Sequence, residues 1–301
     1  MTRHVAAPGI ALALCLALSG CAHASSKPGV IVFTGALVGQ RGAGYFAEAP
    51  DGHHRRRLPF AVTDDELGFS ADGRYAAWRD IKPLDQEPIV VARSNRADRR
   101  VVPLPAAAGA VSPSLSPDGK QVAMAYTRDA AGPDSGWNVW IAGSDGSGLR
   151  RLTRLGHVIT AAWSPAGAKI ALVVQASVAD RTANSGEIYV VGSDGTGLHR
   201  VARGRDPAWS PDGRKLAYTS PKYELAVVDA TGGPARIVSR DAIGPAWSPD
   251  GKRLAFTREV PCGGEGCPHT IVIVDVRTRA ERTIGPTFGG SSQVLWTTAI
   301  S

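Results

Sequence analysis

Pro207-Ala-Trp-Ser-Pro-Asp-Gly213 and Pro245-Ala-Trp-Ser-Pro-Asp-Gly251 are one phrase written twice. Looser copies precede them: Leu67-Gly-Phe-Ser-Ala-Asp-Gly73, Pro113-Ser-Leu-Ser-Pro-Asp-Gly119 and Ala161-Ala-Trp-Ser-Pro-Ala-Gly167. Their serines, Ser70, Ser116, Ser164, Ser210 and Ser248, stand 46, 48, 46 and 38 residues apart, and a period of this size marks a repeat architecture. Pro at the second position and Gly at the fourth of Ser-Pro-Asp-Gly suit a type I turn, with a serine hydroxyl placed to cap local amides. The phrase therefore reads as a hairpin turn.

A strand follows each turn, such as Lys215-Leu-Ala-Tyr218 and Arg253-Leu-Ala-Phe256, then another, such as Leu225-Ala-Val-Val228 and Ile271-Val-Ile-Val274. A second turn, clearest in Ser144-Asp-Gly-Ser-Gly148 and Ser193-Asp-Gly-Thr-Gly197, leads into a basic outer strand such as Leu149-Arg-Arg-Leu152. Each unit is a four-stranded antiparallel meander, too small to bury both faces, so the units must stack; stacking around an axis gives a β-propeller. Two fragments complete the pattern. Gly29 to Leu58 holds all but the innermost strand of a further unit, and Gln293-Val-Leu-Trp-Thr-Thr298 supplies that strand, with Trp296 in register with Trp163, Trp209 and Trp247. The expected fold is an all-β six-bladed propeller of four-stranded antiparallel blades, closed by pairing N- and C-terminal segments in one blade, with Trp296 buried as deeply as Trp209.

The phrase Trp-Ser-Pro-Asp-Gly-(Lys/Arg)-x-Leu-Ala-(Phe/Tyr), with Ser-Asp-Gly-x-Gly-Leu downstream, resembles the TolB-type propeller repeats. The resemblance implies the fold over essentially the whole mature chain. TolB carries a further N-terminal domain, for which the residues between Cys21 and the first strand leave no room, so the resemblance implies no role in the Tol-Pal system.

At the N-terminus, Arg3 and the apolar run from Val5 to Leu18 have the form of a secretory signal, and the run is shorter than the roughly 20 residues that span a bilayer. It ends in Leu18-Ser19-Gly20-Cys21, which resembles the lipobox of bacterial lipoproteins and implies cleavage before Cys21 and its acylation. The expected organisation is a signal peptide over 1–20, a lipidated tether over 21–28 and a propeller over 29–301. The protein is then lipid-anchored on the cell membrane or outer membrane, facing the periplasm or exterior. In that oxidising compartment Cys262 and Cys267, close together on a Gly-rich loop, read as a disulfide, not as metal ligands with His269.

Losing Arg3 takes the formal charge from +7 to +6, without a lysine-rich block; nucleic acid is not an expected partner of an exported chain. No nucleophile elbow, zinc-protease motif or phosphate loop is present, so the chain reads as no enzyme, with no catalytic residue, cofactor or metal. Asp118, Asp212 and Asp250 are accounted for by turn geometry, and His53-His54-Arg55-Arg56-Arg57 by a solvated strand edge. The long connections fall between second and third strands, at Ala36 to Ala43, Asp80 to Glu87, Arg128 to Trp137, Gln175 to Glu187 and Glu259 to His269. They share a face with the blade connections, which bring Asp64, Asp65, His157, Arg205, Asp206, Arg240 and Asp241 to the propeller mouth. Loops on a rigid scaffold carry function, and a mixed-charge mouth suits a protein or peptide partner in the cell envelope. The chain is expected to act as a monomeric binding or scaffold module that meets the membrane only through its lipid. The rival is a metal-dependent propeller lyase or hydrolase acting on an extracellular polysaccharide.

Overall fold

Each Ser-Pro-Asp-Gly turn is wired by its own side chains. In one of them Ser248 Oγ donates to Asp250 Oδ1 at 2.6 Å and accepts from the Arg253 amide at 2.9 Å, while the Lys252 amide donates to Asp250 Oδ1 at 3.0 Å. Gly251 closes the turn on Ser248 O at 2.8 Å with φ +68°, a conformation a side chain resists. Ser70, Ser116 and Ser210 repeat the wiring. In the third turn Ala166 replaces the aspartate, and Ser164 Oγ still accepts from the Lys169 amide at 3.1 Å. The Ser116 hydroxyl and the Lys120 amide hold the Asp118 carboxyl below its ordinary range. Burial works against ionisation at Asp212 and Asp250, but their serine and amide donors together outweigh it and hold both low.

The computed structural model describes residues 29–37, 44–60, 64–80, 88–104, 109–127, 136–175, 186–262, 267–289, 294–298 and 300. The proposed signal peptide, Cys21, the tether and most of the long connections lie outside the described residues. Among the described residues no helix is long and apolar enough to cross a membrane.

The chain opens with β1 (Val30–Leu37), β2 (Gly44–Glu48) and β3 (Arg56–Arg57). Meanders follow: β4 (Asp64–Phe69), β5 (Tyr75–Asp80), β6 (Ile89–Arg93) and β7 (Arg100–Val102), then β8 (Ala110–Leu115), β9 (Gln121–Tyr126), β10 (Asn138–Gly143) and β11 (Arg150–Arg151). Next come β12 (Val158–Trp163), β13 (Lys169–Val174), β14 (Gly186–Gly192) and the long β15 (His199–Trp209). The first half of β15 pairs with β14 and its second half with β16 (Lys215–Thr219), which leads to β17 (Leu225–Asp229) and β18 (Arg236–Ser239). The last meander is β19 (Ile243–Trp247), β20 (Arg253–Glu259), β21 (His269–Asp275) and β22 (Glu281–Gly289), before β23 (Val294–Thr297). Among the described residues the strand pairings are antiparallel and fall into sheets of eight, four, seven and four strands. The larger sheets join two meanders each, through β15 in one and a short β1–β22 contact in the other. The result is an all-β propeller arrangement.

The apolar core lies between meanders. Alternate residues of β1 point to opposite faces: Ile31 and Phe33 pack with Ala246, Ala255 and Ile271, whereas Val32 packs with Leu67, Ala76 and Trp78. Likewise Ala171 and Val173 join one cluster, and Ile170 and Leu172 another. Indoles bridge blades at the axis. Trp209 Nε1 donates to Ala162 O at 2.9 Å and Trp247 Nε1 to Ala208 O at 3.1 Å, giving partners to carbonyls of the preceding innermost strand.

β23 pairs with β1, Val30 opposite Thr297 and Phe33 opposite Val294. Trp296 departs from its expected depth. It is half-buried, with the Arg253 guanidinium 5.3 Å from its ring centroid, because no Ser-Pro-Asp-Gly turn follows it to cover the indole. The basic run from His53 to Arg57 is exposed, as expected of a solvated strand edge, and two of its arginines are tied to the fold. Arg55 Nε donates at 2.6 Å to Glu48, whose side chain is fully buried, and Arg56 Nη2 donates to Ile300 O at 2.9 Å. Burial pushes the Glu48 carboxyl up, against the pull of Arg55. The disulfide between Cys262 and Cys267 is present, with Cα atoms 5.5 Å apart.

Trp209→Ala should cost about 3 to 5 kcal/mol in urea unfolding, the range for truncating a buried aromatic. Trp209→Phe, which keeps most of the apolar bulk but orphans the Ala162 carbonyl, should cost about 1 to 3 kcal/mol. Equal losses for both variants would assign the tryptophan's role to the bridge alone.

Candidate binding mouth and lateral cleft

The innermost strands break register where they enter the axis. Shifts fall between Asp65 and Gly68, Val111 and Ser114, Arg205 and Ala208, and Ile243 and Ala246, and in β12 between Val158 and Thr160. In three of these bulges a residue of positive φ precedes a proline: Ser112 at +54°, Asp206 at +54° and Gly244 at +61°. Proline cannot donate to a ladder, so a bulge is where a strand tolerates it. The bulge turns the residue ahead of the proline out of the pleat, at the axial mouth.

The expected mouth residues divide into groups. Asp64 and Asp65 open β4 opposite Asp80 and Arg79, and only their backbone is described. His157 lies just before β12 with φ +50°, half-buried, its carbonyl accepting from the Gln175 amide at 3.1 Å. Arg205 and Asp206 lie on β15, and Arg240 and Asp241 on the link between β18 and β19. Thr219 at the end of β16 stands opposite Arg205 and ties β16 to β19: its Oγ1 accepts from the Gly244 amide at 3.3 Å.

Asp206 combines two observations that point in different directions. Its side chain keeps 40% of its surface open to water, yet protein atoms crowd it at longer range on every side. The crowding governs its charge: burial pushes the carboxyl up from the ordinary range, opposed by Arg205, whose Nε lies 3.4 Å away, and by the Thr219 hydroxyl and Gly244 amide.

The β16–β17 turn adds residues that sequence reasoning passed over. Tyr223, at φ +57° and 39% exposed, stands 5.5 Å from the Arg205 guanidinium, measured to its ring centroid. Its carbonyl accepts from the Ala242 amide at 2.9 Å, and neighbouring Glu224 lies 3.8 Å from Arg240. This is the short second-to-third connection, and attention to loop length favoured the five longer ones. An aromatic at the tip of the shortest such loop was the available signal.

Beyond Arg240 the mouth runs into a cleft of about 550 Å³ between β18 and the following meander. Arg258 forms its floor, donating to Glu281 Oε2 at 2.9 Å, Ser239 Oγ at 3.0 Å and Arg240 O at 3.0 Å. Arg258 holds Glu281 below its ordinary range, aided by the Ser239 hydroxyl.

No protein-family model matches the chain, and no curated protein matches its sequence. Solved structures match its fold. TolB from Acinetobacter baumannii is 17% identical at a TM-score of 0.69, covering 89% of this chain, which spans 66% of that one. A chain of the nidogen/laminin complex is 12% identical at 0.63, covering 91% of this chain and 100% of that one. Oligogalacturonate lyase from Vibrio parahaemolyticus is 9% identical at 0.58, covering 85% and 79%. Such identities establish the β-propeller fold alone.

The lyases correct one expectation. The chain was read as no enzyme, but its fold is shared with enzymes, including an oligogalacturonate lyase in complex with manganese that is 13% identical at a TM-score of 0.51 over 86% of this chain and 74% of that one. Among the described residues no three His, Cys, Asp or Glu side chains gather as a metal site, so no manganese-holding set can be named from them.

Asp206→Asn should stabilise the fold at neutral pH. A carboxyl whose folded pKa is raised favours folding while protonated and loses that contribution as pH rises through the folded value. The gain from asparagine should therefore shrink as pH falls toward the ordinary carboxylate range. Urea midpoints of both proteins across that interval check it, and a pH-independent difference would show that Asp206 pays no burial cost.

Proposed function

We propose that the mature chain is a lipid-anchored, extracytoplasmic six-bladed propeller that binds an extended protein or peptide segment where the axial mouth opens into the lateral cleft. Continuity of groups carries the reading: Asp206, Arg205, Tyr223 and Arg240 lead from the axis to the cleft floored by Arg258. Aromatic and arginine side chains dominate protein recognition, and a cleft beside the outer strand β18 suits an extended segment. The nidogen/laminin complex places the same fold in a protein–protein assembly.

Six-bladed closure is part of the proposal. It is supported by β23 pairing with β1 and by the two faces of β1 packing against meanders from opposite ends of the chain. So are the domain limits, 1–20 for the signal peptide, 21–28 for the tether and 29–301 for the propeller, a monomeric state, an envelope location facing the periplasm or exterior, and lipid on Cys21. Asp64, Asp65, His157 and Asp241 belong to the proposed binding rim.

The lyase likeness favours a second reading, cleavage of an extracellular polysaccharide. Incubation with oligogalacturonate, with and without manganese, and ultraviolet detection of unsaturated product decides it. Product that rises with enzyme and manganese would establish the second reading.

Cys21→Ser should release the protein from membranes or leave it as a longer precursor. Unchanged fractionation and mass would refute lipidation. A photo-crosslinking amino acid at Tyr223 should capture a discrete envelope partner that one at Leu198, exposed on an outer strand's approach, does not. Arg205→Ala should reduce that capture at least tenfold; equal capture at both positions would contradict the mouth as the binding surface.

A further inference from the structure

The innermost strands run from the mouth to the Ser-Pro-Asp-Gly turns, so those turns occupy the opposite face. β23 runs the same way, and β1 starts where β23 ends, with Val30 opposite Thr297. Gly29 abuts Pro249 of one such turn, close enough that an added Cβ would come within 2.8 Å of its ring, and Thr298 Oγ1 donates to Asp72 O of another at 3.0 Å. The chain arriving from Cys21 thus enters on the turn face. Only seven residues, 22–28, separate the cysteine from Gly29, a reach of at most about 28 Å over the eight steps when fully extended.

That face is basic. A cleft of about 420 Å³ there is lined by Arg100, Lys120 and Arg150, with Asp145 as its carboxylate. Asp145 Oδ1 is committed to the Ser147 amide at 2.9 Å and hydroxyl at 2.7 Å. Arg150 reaches Ser193 O at 2.8 Å, while Arg100 and Lys120 are exposed and make no ion pair among the described residues. Exposed Arg74, Arg214 and Lys252 take the place of Lys120 in other meanders. The turn aspartates between them accept from their own serines and amides, as Asp118 does from Ser116 and Lys120.

We infer that the turn face docks on an anionic lipid bilayer, with Arg100, Lys120 and Arg150 against the headgroups and the mouth directed away from the membrane. The inference rests on the lipid anchor proposed at Cys21. Entry point and charge agree on one face, and a lipid chain combined with basic residues is the pairing that makes membrane attachment stable. The mouth is then the surface left free for a partner.

The test uses the lipidated protein in phosphatidylcholine liposomes, with or without phosphatidylglycerol, and a lipid-borne quencher. One fluorophore is placed through Ser147→Cys on the turn face and another through Lys222→Cys at the mouth. Flotation with neutral liposomes reads the anchor alone. Docking is expected to quench the Ser147 probe strongly only when phosphatidylglycerol is present, and the Lys222 probe in neither case. Replacing Arg100→Gln and Lys120→Gln together should lower the docked-to-undocked ratio about 25-fold, near fivefold per charge. Equal quenching of the two probes, or quenching untouched by that double variant, overturns docking while leaving the anchor standing. Failure to float on neutral liposomes refutes the anchor, and docking by this route with it.

Discussion

A four-stranded sheet with apolar side chains on both faces has to be covered twice, and this constraint organises the molecule. β1 shows it most plainly, since Ile31 and Phe33 need one neighbour and Val32 another. A linear stack leaves its two end faces wet; a ring leaves none, and it also pairs strand edges that would otherwise invite association. Much else is subordinate to that packing. The serine-wired turns set the spacing between the first two strands of a blade, and the indole bridges from Trp209 and Trp247 hold successive innermost strands at the axis.

The rigid frame lets the mouth carry groups that do not help folding. Asp206 is held with positive φ in a bulge, crowded by protein, with a carboxyl that burial pushes toward the neutral form. Tyr223 holds a left-handed backbone and leaves its ring partly in water. Both are costs that packing between blades offsets, and such costs concentrate at sites shaped for function. The turn face has the opposite character, with carboxylates satisfied locally and several cations left outward.

The fold was legible because its determinants repeat. A period near 40 residues, Gly at the positive-φ turn position and Ala beside large apolar residues all follow from local geometry and recur in each unit. The depth of Trp296 was not legible, because its register matches Trp209 while the covering turn is missing where two chain ends meet. Charges in the blade connections pointed to Arg205, Asp206, Arg240 and Asp241 on neighbouring elements, and equally to His157, Asp64 and Asp65 on other blades of the proposed rim. Tyr223 was missed because its place beside Arg205 depends on a tertiary contact between β15 and the next turn. Chemistry was the least legible of all: an oligogalacturonate lyase and a chain of the nidogen/laminin complex share this scaffold, and repeats that specify packing say nothing of what the mouth does.

Closure of the ring is the claim on which the mouth, the turn face and the chain's entry point all depend, and native-state hydrogen exchange of the β1 amides tests it directly. If β23 closes the blade, the amides of residues 31 to 33 should exchange only through global unfolding, with the same denaturant dependence as those of residues 170 to 173 in β13. Exchange of the β1 amides at low free energy, while β13 stays protected, would mean that the terminal segments are a loose appendage and that the ring is open.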